Sequence, residues 1–451
     1  MDFTPRQRVL SALNHEEPDR VPLFIGTSGA TTVLGPGYQR LRSHLGFSSG
    51  PVRWLSKPLQ YTWMDEDVLL RLGSDGRAVA PGPAGSALRK EVSNDCLIDD
   101  WGVTWQRRPG SLYFEAADPP LRHATLDDLE RYAWPDLVAP SRFEGLAERA
   151  KAIQDAGFAS VLLSGVTLFE QAYLMRGIDT LLTDLALEPD FFTALLEKIK
   201  SLVVPYVGEL LRVVGDYVDV IVTGDDLGMT QGPMMSPASY RRLVKPHQAE
   251  LLAAMKRGTT GKVFFHSCGN VYALLGDLAE VGVDLLNPVQ VSAGEMGDTA
   301  RLKREFGDRL SFCGAIDTQW VLPHGSPDDV RREVRRRIGD LAPGGGYVAA
   351  AVHCIQPDVP PENVVAMCDE VARSGYSARV HGRQCTGASS TPSPPARFRF
   401  HSTLGRAFTH LAGLPTHHHV RLDYLPGAFQ IRARFLHIET NRMDFVTGRF
   451  G

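Results

Sequence analysis

Residues 262–287 read KVFFHSCGNVYALLGDLAEVGVDLLN, and this stretch decides the fold class. Lys262–His266 (KVFFH) is an apolar run too short for a helix. An amphipathic stretch follows over Val271–Val281, and Val283–Asn287 (VDLLN) is again short and apolar. Two such runs joined by a helix predict a parallel pair, because a parallel connection must cross back over the sheet. Working outward, the same kind of run recurs at Val21–Ile25, Ser160–Ser164, Val218–Val222, Leu310–Cys313 and Tyr347–Ala351. Helical stretches lie between them at Phe191–Val214, Pro237–Met255, Thr299–Phe306 and Pro327–Leu341. The runs are nearly continuous in apolar residues, as expected of strands covered on both faces. The fold class is therefore α/β, a (β/α)8 TIM barrel with one strand hidden in the poorly patterned stretch between Gly26 and Glu115. That stretch, with short strands such as Trp101–Trp105, reads as an insertion after the first strand. Thr4 ahead of Pro5 predicts an N-terminal helix over Thr4–Leu13, placed to cover the bottom of the barrel.

The chain has 451 residues, 43% of them hydrophobic, which is enough for one large α/β domain with extensions. A formal charge of −4 argues against a general nucleic-acid binder, which needs a basic surface for phosphates. No apolar run reaches the roughly 18 residues of a membrane span, and MDFTPRQRVL lacks the pattern of a signal peptide. Six cysteines in a chain of this length do not make a disulfide scaffold. A soluble, cytoplasmic protein is expected. The charge is unevenly spread: residues 379–451 hold ten Arg, no Lys and three acidic residues, so they carry +7 and the preceding body −11. Seven of the fourteen histidines, including His417, His418 and His419, fall in this segment. The domain reading is a barrel over 1–378 and an irregular, basic, His-rich tail over 379–451, poorly ordered and without a sustained period.

In a barrel, reacting groups gather just beyond the C-terminal ends of the strands. Here those ends carry Ser164-Gly165, Gly224-Asp225-Asp226, His266-Ser267-Cys268-Gly269, Asn287-Pro288 and His353-Cys354. In an extended segment His266 and Cys268 face the same side, at a spacing that suits one tetrahedral cation. Cys354 also follows a predicted strand, and adjacent barrel strands would bring it to the same point. His266, Cys268 and Cys354 thus form a one-nitrogen, two-sulfur site with a free fourth position, the arrangement of catalytic zinc. Alternation turns His353 away from that ion, and Cys313 is a substitute third sulfur. Cys96, Cys368 and Cys385 have no partner at ligand spacing, and Arg331–Arg337 (RREVRRR) reads as a solvated helix face. Asp225 and Asp226 are candidate catalytic groups or orienters of the histidine, while Asn287 and Gln290 are candidates for the pocket lining. Glu170 and Gln171 are weaker candidates of the same kind.

The runs TPRQRVLSALNHEEPDRVPLFI, GDDLGMTQGPMMSPASYRRLVKPHQAELL, HSCGNVYALLGDLAEVGVDLLNPVQ and CIQPDVPPENVVAM resemble the uroporphyrinogen decarboxylase superfamily. Within it they are similar to the zinc-dependent corrinoid methyltransferases, including the methylcobamide:coenzyme M enzymes. That resemblance implies zinc on His266, Cys268 and Cys354, a corrinoid (methylcobamide) carried by a separate protein, and a small thiol as methyl acceptor. Gln231, in the second run, joins the substrate-binding candidates. The metal-free decarboxylases carry arginines after the first strand to hold substrate carboxylates, and this chain has Ile25-Gly26-Thr27-Ser28-Gly29-Ala30 there. The decarboxylase aspartate that holds pyrrole nitrogens has only Asp65, Asp67 and Asp75 to represent it. No Asp-x-His-x-x-Gly cobalamin signature occurs, which is why the corrinoid is expected on a partner. The alternatives are a metal-free decarboxylase of a porphyrinogen and a non-catalytic binding barrel.

Overall fold

The computed structural model describes residues 3–375 other than 49 and 85, together with four short strand segments between 420 and 443. The first helix, Pro5–Leu13, starts at a capping box in which Thr4 and Gln7 each bond the other's backbone N–H. Beyond it come the hairpin strands β1 (Trp54–Ser56) and β2 (Tyr61–Thr62), then β3 (Gly76–Val79). An antiparallel sheet comes next: β4 (Lys90–Ser93), β5 (Cys96–Ile98), β6 (Thr104–Arg107) and β7 (Phe114–Asp118). The remaining strands alternate with helices: β8 (Ala159–Leu163), β9 (Val220–Gly224), β10 (Lys262–His266), β11 (Leu285–Val289), β12 (Ser311–Ile316) and β13 (Tyr347–Ala351).

One parallel sheet runs β13-β12-β11-β10-β9-β8-β3, and the residues 21–25 close its ring. Phe24 N donates to Ala349 O at 2.9 Å, Ala349 N to Pro22 O at 2.8 Å, and Asp75 N to Leu23 O at 2.9 Å. The segment thus lies between β13 and β3, with too few ladder bonds to make a regular strand, and completes a TIM-barrel-like ring. The hidden strand is β3, whose sequence GRAV carries an arginine: Arg77 stacks over the Phe158 ring at 3.7 Å and pairs with Glu66 at 2.8 Å. The expected single insertion is two. Residues 26–75 hold the hairpin and two helices, and the antiparallel sheet comes only after β3.

Inside the ring Phe24, Val161, Val220, Phe264, Leu285, Cys313, Val348 and Ala350 pack with Val9 and Leu13 of the first helix. The helix therefore plugs the N-terminal end of the barrel, as its position in the sequence predicts. The expected helix Pro237–Met255 is broken into Pro237–Leu243 and Lys245–Gly258. Pro246 causes the break, because it lacks an N–H and its ring crowds the preceding turn. In the tail, Val420–Asp423 pairs antiparallel with Arg432–Phe435, and Ile438–Glu439 with Arg442–Met443. The rest of 379–451, with His417 to His419, lies outside the described residues. Among the described residues, no helix is long and apolar enough to cross a membrane.

Candidate metal centre

Side-chain alternation on the strands aims the site. Phe264 faces the barrel interior, so His266, two residues on, faces the same way at the open end. Leu285 and Asn287 repeat this on β11, where Asn287 stands level with His266. On the other side Gly224 of β9 stands level with His266, and a Cβ there would meet the His266 carbonyl oxygen at 2.3 Å. Only glycine allows that approach, which lets Asp225 N donate to His266 O at 2.9 Å.

Asn287 Nδ2 donates to the Cys313 carbonyl at 3.4 Å, and its Oδ1 lies 2.7 Å from His266 Nδ1. That carbonyl can only accept, so Nδ1 carries the proton and the lone pair is left on Nε2. Nε2 lies 3.3 Å from Cys268 Sγ. Two bonds of about 2.1 and 2.3 Å at a tetrahedral angle would separate such donors by about 3.6 Å. An imidazole lone pair and a thiol at this spacing fit a zinc ion. Asp226 Oδ1 accepts from Cys268 N at 2.8 Å and lies 3.8 Å from His266 Nε2. Gln290 Oε1 accepts from Gly269 N at 2.7 Å, fixing the turn beyond Cys268, where Gly269 has φ +85°.

From the end of β13 a second imidazole joins this pair, beside the Cys354 that the sequence points to. Among the described residues, His266, Cys268 and His353 are the group whose ligand atoms all lie within 4.8 Å of one another. The His266 and His353 ring centroids are 5.3 Å apart. Cys354 Sγ sits 2.9 Å from His353 Nδ1 and does not belong to that group. Two premises of the expectation fail. β10 and β13 are not neighbours, since β11 and β12 stand between them, and the two ends meet through the curvature of the ring. The strand also stops at Ala351, so alternation no longer governs residues 352–354 and His353 turns toward His266. Cys313 belongs to the packed interior of the barrel.

Burial, with Asp226, Glu170 and Cys354 beside it, pushes the Cys268 thiol well up, and burial raises Cys354 to about 12. A divalent cation inverts this logic, because it favours the thiolate that burial disfavours. Burial and the nearby His266 lower His353 to about 3, which keeps that imidazole neutral.

The remaining candidates separate by role. Asp225 is buried, and its Oδ1 accepts from Leu168 N and Glu170 N, both at 2.9 Å, while Gln248 Nε2 donates to Oδ2 at 2.7 Å. Tyr240 donates to Gln248 Oε1 at 2.8 Å behind it. Burial lifts Asp225 to about 6 against those hydrogen bonds. Its carboxylate therefore anchors the start of the helix Phe169–Arg176. Glu170, in the first turn of that helix, is pushed well above the usual carboxylate range by burial and by Asp226 and Asp225. Glu170 is the group that the sequence undervalues, since its run SGVTLFE carries no ligand spacing. Asn287 and Gln290, expected on the pocket wall, turn their side-chain carbonyl oxygens to His266 Nδ1 and Gly269 N. Gln231 is exposed, and its carbonyl accepts from Asn270 Nδ2 at 3.3 Å. Asp75 stands at the opposite end of the barrel, before the first residue of β3.

The uroporphyrinogen decarboxylase (URO-D) family model matches residues 113–374. A uroporphyrinogen decarboxylase from Thioalkalivibrio sulfidiphilus is 30% identical over 151 residues, 32% of this chain and 40% of that protein. The methylcobamide:CoM methyltransferase MtaA of Methanosarcina barkeri is 30% identical over 161 residues, 36% of this chain and 42% of that protein. The chain thus spans less than half the length of these curated relatives. Among solved structures, a methyltransferase from Methanosarcina mazei has a TM-score of 0.56 at 19% identity, covering 82% of this chain and 99% of that one. That likeness concerns the fold.

Proposed function

This chain belongs to the uroporphyrinogen decarboxylase family, and from that premise we propose that it is a zinc-dependent methyltransferase. It moves a methyl group between a corrinoid on a separate protein and a small thiol, in the cytoplasm. The observation that carries this reading is the His266 Nε2 to Cys268 Sγ distance of 3.3 Å, with the histidine tautomer set by Asn287. Similarity to the methylcobamide:CoM methyltransferase supports the choice of donor and acceptor class.

His266 and Cys268 would hold the ion, with a third donor from the end of β13, either Cys354 or His353. Bound there, zinc would lower the pKa of an arriving thiol and supply a thiolate at neutral pH. Asn287 keeps the His266 lone pair on Nε2, and Asp226 holds the Cys268 backbone in place. Gln290 fixes the turn at Gly269, and Asp225 positions the Glu170 carboxyl beside Asp226. Glu170 holds its proton to higher pH than an ordinary carboxyl does, which limits the negative charge beside the thiols.

The decarboxylase reading has the relatives of that name in its favour. Against it stand the arginine-free loop after residue 25 and the binding of Asp75 to Arg8 and Arg20 at the closed end. Anaerobic metal analysis, joined to a methylcobalamin demethylation assay over a panel of thiols, separates the two. About one zinc per chain is expected, lost in Cys268→Ser, with thiol-dependent demethylation. A metal-free chain that consumes uroporphyrinogen reverses the assignment, and ligand binding without turnover of either substrate makes it a binding barrel.

A further inference from the structure

We propose that Tyr113 is a positioning residue for the Cys354 thiol, acting through Gln356. The antiparallel insertion sheet, to which the proposed reaction gives no task, would then help to build the site. The inference rests on the reading that the Cys354 sulfur is part of the metal–thiol centre.

Tyr113 directly precedes β7, and its place is fixed by the next residue in the chain. Phe114 is fully buried, its N–H donates to Pro58 O at 3.3 Å, and the Arg107 guanidinium stacks on its ring at 5.2 Å. From this anchored position the Tyr113 hydroxyl donates to Gln356 Oε1. A primary amide has one accepting and one donating end. With Oε1 committed to Tyr113, the donating end faces β13, where Nε2 lies 3.3 Å from Cys354 O and 3.4 Å from Cys354 Sγ. His353 Nδ1 meets the same sulfur at 2.9 Å. The sulfur is therefore gripped between an amide N–H and an imidazole ring.

The Tyr113 hydroxyl decides which end of the amide the sulfur meets. Without it, the amide is free to rotate by half a turn and present its carbonyl oxygen to the sulfur, which repels an electron-rich thiolate. An N–H donated to a thiolate draws charge from it and fixes its direction, as outer hydrogen bonds do for metal ligands. The path from the insertion sheet to the sulfur thus needs two side chains.

The test uses the full-length chain and two variants, Tyr113→Phe, which keeps the ring, and Gln356→Leu. In metal-free protein, iodoacetamide labelling of Cys354 and Cys268 is followed separately by peptide mass. Each variant is expected to slow Cys354 labelling about two- to fivefold, since each removes one ordinary hydrogen bond that favours the reactive thiolate, with Cys268 unchanged. Cys354 labelling at the parent rate in both variants overturns the inference. So does equal acceleration of both cysteines, because that reports general loosening. In parallel, cobalt(II) titration of the parent chain and Tyr113→Phe reads the sulfur-to-cobalt absorption, expected to shift at unchanged stoichiometry. If the parent binds no cobalt while labelling stays selective, the metal reading falls and the positioning of Cys354 stands.

Discussion

The two ends of the barrel bury carboxylates in opposite company. At the closed end, Asp75 meets Arg8 Nη1 at 2.6 Å and Arg20 Nη1 at 2.8 Å, and Asp219 meets Arg6 Nη2 at 2.9 Å. At the open end Asp225, Asp226 and Glu170 crowd together, and among the described residues no arginine or lysine pairs with any of them. The ring that faces Asp226 is that of His266, whose Nε2 lies 3.8 Å away. Paired carboxylates of the first kind hold a fold together. A cluster of the second kind raises proton affinity and suits a cation, which is the mark of a site. The difference agrees with the general division of labour in such barrels, where one face serves stability and the other chemistry.

The contrast can be broken most forcefully at the closed end. Asp75→Ala removes the buried anion between Arg8 and Arg20, of which Arg8 keeps Asp19 at 2.7 Å, and a loss of about 3 kcal/mol is expected by urea denaturation. Zinc content per folded chain should not change. At the open end the sign concerns pH. Asp225 titrates at about 6 in the fold, against about 3.9 unfolded, so between those values the native state holds the extra proton. Stability therefore falls as pH rises from about 4 to 6 and levels off above, a contribution of up to about 3 kcal/mol. Calorimetry at several pH values should show that Asp225→Asn lacks this part of the decline. A variant whose pH profile matches the parent's would remove Asp225 from the comparison. The smallest effect sharpens it: Asn287→Leu frees the His266 ring and should weaken zinc binding about 10–100-fold, read by competition with a chromophoric chelator.

Much of this architecture is legible in the sequence where burial writes a simple pattern. Lys262–His266 and Tyr347–Ala351 are strands over the residues that the apolar runs mark, and Thr299–Phe306 and Pro327–Leu341 are helices over theirs. β3 escapes because its four residues include Gly76 and Arg77, and its neighbours rather than its composition make it a strand. The first segment is readable as a strand but bonds too sparsely to be regular, since its role is to close the ring. His266 and Cys268 are legible as a pair because both sit at one strand end. The neighbourhood of His353 is not, because it depends on ring curvature across two intervening strands, which no local spacing encodes. Glu170 is hidden for a related reason: only the meeting of two segments, one after β8 and one after β9, makes its carboxyl unusual.

The helix Pro5–Leu13 has one more consequence. By filling the lower mouth with Val9 and Leu13, it makes the barrel a cup and not a tube. Under the proposed function, whatever reacts at His266 and Cys268 would arrive and depart over the same rim. Two reactants that share one doorway either sit side by side or take turns, so the order of entry is set by the shape of the vessel as well as by affinity.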